Sequence, residues 1–75
     1  MNEKKFKGIY KQVGVNIKRY RKKRSLTQQQ LAELIIPKLD RSKISDMENG
    51  KEDFQFSTLL RICSALQIEV KDILK

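Results

Sequence analysis

Histidine is missing from this chain, and cysteine occurs once. Without histidine there is no Ser–His–Asp triad. With one cysteine there is no C-x-x-C pair and no zinc ligand set. A lone thiol cannot close an internal disulfide, and a reducing cytoplasm is its simplest setting. No glycine-rich phosphate cradle occurs. The longest apolar run is far too short to cross a membrane, and the basic N-terminus lacks the apolar stretch of a secretion signal. There is no internal repeat and no low-complexity linker. No aromatic stacking pair and no strand platform favour RNA or single strands. The expectation is a protein that binds: no enzyme, no metal and no cofactor.

What is present is positive charge. The 75 residues carry a net charge of +8, with a pI near 9.9. That balance suits a polyanionic partner, although basicity alone equally fits RNA, an acidic membrane or plain solubility. The length gives one domain with a modest core, in which every apolar helix face matters.

The organising stretch is Thr27 to Gly50, TQQQLAELIIPKLDRSKISDMENG. Thr27 caps a helix, and Gln30 completes a T-x-x-Q capping box. Leu26 and Leu31 flank the cap as a hydrophobic staple. Leu31, Leu34 and Ile35 are spaced to face the core. Pro37 stops this helix. Asp40 caps the next one, with Leu39 and Ile44 as its staple, and Gly50 ends it. In the second helix, 41–49, Ile44 and Met47 share the inward face. Ser42, Ser45, Asp46 and Asn49 lie opposite, flanked by Arg41 and Lys43. An ordinary surface helix has this pattern; so has a helix shaped to enter a groove.

The remaining segments read as helix too. Phe6, Ile9/Tyr10, Val13, Ile17 and Tyr20 recur at helical spacing, so firm helix is expected from about 9 to 24. Residues 1–8 are a basic arm or a frayed helix start, and 9–75 form the folded domain. The cluster 18–24 is mostly a solvated face suited to the helix dipole. Arg21 differs, lying near the buried side, while Glu48 projects beside Ile44; an Arg21–Glu48 salt bridge is expected. Residues 56–66 bury Phe56, Leu59, Leu60, Ile62, Cys63 and Leu66 to varying degrees, with Cys63 as a core residue. A short last helix carries Ile68, Val70, Ile73 and Leu74.

The residues Thr27-Gln28, Leu31-Ala32-Glu33, Arg41-Ser42, Ile44-Ser45 and Glu48-Asn49-Gly50-Lys51 resemble the helix-turn-helix of the phage repressor/Cro (XRE-type) family. The similarity runs from about Val13 to Leu74. It implies an all-α, five-helix repressor-like DNA-binding domain whose 41–49 helix reads the major groove of double-stranded DNA. It also implies pairing of Arg21 with Glu48. By family position the base readers are Arg41, Ser42 and Asp46, with Lys43 and Ser45 in support. Thr27, Gln28, Asn49 and Lys51 are expected at the DNA backbone. Asp46 either accepts from cytosine or merely pairs with Lys43. The chain departs from the family at Ser25 and Gln67, where glycine is usual, and in the turn 36–39, which is longer by about two residues and is expected to bulge outward. Glu52 and Asp53 are acidic beside a DNA-facing loop, and either point away or weaken affinity.

The implied function is a small repressor or autoregulatory controller acting as a homodimer on a palindromic operator. Phe54, Ile73 and Leu74 have the least obvious place in the monomer and are the expected dimer contact. The alternative is an antitoxin-like module whose main role is binding another protein, with Phe54 and the last helix as its surface.

Overall fold

Val13 and Ile17 anchor the longest element of the computed structural model, which describes residues 3–51 and 54–75. Helix α1 spans Glu3–Lys23. It is continuous from Glu3, so the described part of 1–8 is helix and not a separate arm. Its apolar stripe is only partly used: Val13 and Ile17 are buried, whereas Phe6 and Ile9 are exposed. The helix outruns the core beneath it. Gly14 permits a close approach of α1 to the chain at Met47, since a Cβ there would stand 2.3 Å from the Met47 carbonyl oxygen. Any side chain would force the two apart.

Helix α2 is Gln28–Leu34, opened by the Thr27–Gln30 capping box. Leu31, Ala32 and Ile35 are buried, but Leu34 is 51% exposed. The expected Leu31–Leu34–Ile35 face is therefore wrong at Leu34. Ile35 is already extended, at φ −81° and ψ 134°, so it reaches inward from outside the helix and its helical spacing to Leu31 carries no meaning. Ile36, Pro37 and Lys38 then lie exposed on the outside of the turn, and Leu39 returns to the core.

Helix α3, Arg41–Glu48, buries Ile44, Met47 and Glu48. Asp40 holds the N-cap position, but its side chain makes no capping bond. The Lys43 and Ile44 N–H groups donate instead to its backbone carbonyl. Helix α4, Phe56–Leu66, buries Thr58, Leu59, Ile62, Cys63 and Leu66. Phe56 and Leu60, expected inside, are 60% and 45% exposed, because the core occupies only the opposite arc of this helix. Burial, and then the charge of Asp72, push the Cys63 thiol above its ordinary pKa. Helix α5, Val70–Ile73, docks on α1 and α4. There the buried Asn16 amide donates to the Ile73 carbonyl at 2.8 Å.

Three helices end alike. Ser25, Gly50 and Gln67 adopt positive φ, at 56°, 67° and 59°. In each case the following residue's N–H reaches five residues back and its own reaches three back, the paired bonds of a Schellman ending. The places where glycine was expected do require the left-handed conformation. Serine and glutamine adopt it.

Candidate nucleic-acid interface

Helix α3 is held from behind by Ile44 and Met47, which are fully buried, so its other side is fixed in direction. Arg41, Ser42 and Asn49 are exposed there; Lys43, Ser45 and Asp46 are half-buried along its edges. Lys51 is exposed just beyond the end. Glu52 and Asp53 lie outside the described residues.

Behind this row runs a chain of polar contacts. Arg21 grips Glu48 in a two-pronged bridge, Nε to Oε2 at 2.6 Å and Nη2 to Oε1 at 3.0 Å. Both side chains are nearly excluded from water, at 9% and 3%. Arg21 Nη1 also donates to the Leu26 carbonyl at 2.7 Å. The hydrogen bond to Glu48 raises the Arg21 pKa, burial lowers it and the charge of Glu48 raises it again, with a net upward shift. The Gln28 amide then donates to Glu48 Oε1 at 3.1 Å, and its oxygen accepts from Arg41 Nη1 at 3.2 Å. An amide has both a donor and an acceptor end, so Gln28 can join a carboxylate to a guanidinium. The first residue of α2 thereby steers the first residue of α3. Sequence reasoning placed Gln28 at the DNA backbone and missed this link. The available signal was that Gln28 and Arg41 each open one of the paired helices.

The other candidates are already partly engaged. The Thr27 hydroxyl accepts from the Gln30 N–H at 3.0 Å. Asn49 donates to the Ser45 carbonyl at 2.9 Å, one turn back. Among the described residues Asp46 forms no ion pair with Lys43. The dimer contact needs correction. Ile73 is fully buried inside one chain and offers nothing to a second. Phe54 is half-buried and meets Tyr10 edge-on, with centroids 5.4 Å apart. Leu74 alone of the three is substantially exposed.

The sequence pattern of the helix-turn-helix family HTH_3 matches residues 17–73. The chain belongs to this helix-turn-helix family. It is a DNA-binding regulator of transcription. The restriction-modification controller protein C.AhdI from Aeromonas hydrophila superposes with a TM-score of 0.82 at 27% identity, over 89% of this chain and 94% of that one. The clp gene regulator ClgR from C. glutamicum has the same fold, with a TM-score of 0.81 at 24% identity, over 88% and 82%. So has an HTH_3 family transcriptional regulator from Vibrio cholerae, at 0.81 and 22%, over 89% and 36%. No curated protein sequence matches at a significant level. In this helix-turn-helix domain α2 and α3 are the paired helices, and the Arg21–Glu48–Gln28–Arg41 chain ties them to α1. No described helix is long and apolar enough to cross a membrane. Among the described residues no group of His, Cys, Asp and Glu could hold a metal ion.

Proposed function

We propose that the chain is a sequence-specific regulator that binds a palindromic duplex operator as a homodimer, with α3 in the major groove. The observation that carries this reading is the Arg41 guanidinium, exposed at the start of α3 and held by Gln28 at 3.2 Å. Arginine presents two donors to the O6 and N7 acceptors of guanine, and a side chain already restrained loses less freedom on binding. Arg41, Ser42 and Asp46 read bases, Lys43 and Ser45 assist, and Thr27, Gln28, Asn49 and Lys51 contact phosphates. A carboxylate near phosphates is tolerated where it accepts a hydrogen bond, which gives Asp46 cytosine N4 as its target. One such helix covers few base pairs, so two copies with half-sites about 34–36 Å apart supply the specificity. Leu74 and the α4 residues Phe56 and Leu60 are among the exposed apolar groups that such a contact can use.

The role is binding and not catalysis, in a reducing cytoplasm that suits the single buried thiol. The family's controllers of their own synthesis and its small repressors both fit. The antitoxin-like reading loses ground, because Phe54 packs within the monomer. Selection from a random duplex pool tests the proposal. It should return a two-fold motif bound by a dimer in sedimentation. Enrichment of no motif, or a complex with one chain per duplex, contradicts it.

A further inference from the structure

The end of α3 has a neighbour that lies outside the family pattern. The match covers residues 17–73, so the first half of α1 precedes it. That half runs against Gly50, the residue that closes α3. A Cβ at Gly50 would stand 2.9 Å from the Lys11 Cα and 3.2 Å from its backbone nitrogen. Gly14, which meets α3 at Met47 and Glu48, follows Lys11 by three residues and Lys7 by seven. All three therefore fall on one side of α1. Lys7 and Lys11 are exposed there, and among the described residues neither forms an ion pair. Lys51, also exposed, directly follows Gly50.

Three lysines from two parts of the chain are thus gathered at one end of α3. Like charges one turn apart weaken a helix, so the Lys7–Lys11 pair does not serve α1 itself. Nor can the loop after α3 attract DNA unaided. Lys51 is followed by Glu52 and Asp53, one positive charge against two negative. Lys7 and Lys11 reverse that local balance. An ammonium on a flexible stem suits a phosphate oxygen and reads no base.

We propose that Lys7 and Lys11 join Lys51 in one phosphate-binding patch, through which α1 grips the DNA backbone beside the end of α3. The inference rests on the reading of α3 as the groove helix and adds α1 to that interface. These contacts strengthen binding and fix orientation without changing the sequence preferred.

The test is salt-dependent binding to the duplex that wild type selects, with Lys7→Gln/Lys11→Gln compared with Lys71→Gln/Lys75→Gln. Both double variants lose the same charge, and glutamine is as good a helix former as lysine. Lys71 and Lys75 belong to the α5 end of the chain, and α5 docks on α1 and α4. The α1 variant should select the wild-type motif but bind it more weakly, with a log–log salt slope shallower by roughly 3–4. That is about 0.9 for each phosphate contact, with two lysines in each copy of the proposed dimer. The α5 variant should keep the wild-type slope. Ethylation of single phosphates then locates the patch. The phosphates whose ethylation weakens wild type but not the α1 variant should neighbour those that lose their effect in Lys51→Ala. An unchanged slope in the α1 variant overturns the inference. So does an equal fall in the α5 variant, which makes net charge and not placement the cause, and so do affected phosphates far from those of Lys51. If wild type selects no motif at all, the groove reading fails and this inference with it. A clear motif with an unchanged slope in the α1 variant sinks this inference alone.

Discussion

Glu48 is where α1, α2 and α3 converge, and its neighbours define what its removal does. Glu48→Ala leaves the Arg21 guanidinium buried without its acceptor, while Gln28 loses the oxygen that orients it. Breaking a buried pair costs roughly 3–5 kcal/mol, a large part of the stability of a small domain. The variant should therefore unfold at clearly lower urea concentration; a midpoint equal to wild type contradicts the bridge's role. The bridge is insensitive to alkali on the arginine side. A group with a raised folded pKa gives stability that is complete below its ordinary value and lost only above it, and arginine's ordinary value already lies beyond about 12. Cys63 behaves otherwise. Its folded pKa is raised by burial, so the protonated thiol is the form compatible with the fold. Stability should fall as pH climbs above the thiol's ordinary value of about 8.5. Urea unfolding over that range should show wild type losing stability relative to Cys63→Ala; parallel pH profiles contradict the assignment.

Helix endings separate what could be read in this sequence from what could not. Ser25 and Gln67 stand out as non-glycine residues at positions that need positive φ, a conformation costing a non-glycine residue about 1 kcal/mol or more. Ser25→Gly should stabilise the domain by about 1 kcal/mol in urea unfolding, and no gain contradicts this account of the α1 ending. The five helices and the Thr27–Gln30 box were legible because caps and apolar spacing are local. Leu34 was misread because α2 ends before Ile35, and spacing arguments fail once the chain leaves the helix. Phe56 and Leu60 were misread because periodicity shows an apolar arc, not how much of it the rest of the chain covers. Ile73 was assigned outward because the packing of a four-residue helix is set by distant residues such as Asn16. The Gln28–Arg41 contact joins residues thirteen apart in sequence, and no local pattern encodes it.

For the whole molecule, charge sets the behaviour. If the proposed dimer neutralises about 6–10 phosphates on DNA, affinity should drop roughly 10³–10⁵-fold between about 50 and 200 mM salt. A nearly flat response in equilibrium binding contradicts a phosphate-dominated interface. The Lys51→Ala variant should weaken binding to all sequences alike, since it removes a charge and no base contact.

The most direct test of base reading by α3 is selection from one random duplex pool by wild type and by Arg41→Ala in parallel. Wild type should return a palindrome with a guanine in each half-site opposite Arg41. The variant should bind about 1–3 kcal/mol more weakly, keep the rest of the motif and lose preference at that one base pair. An unchanged motif from Arg41→Ala, or loss of the entire motif with the fold intact, contradicts the account.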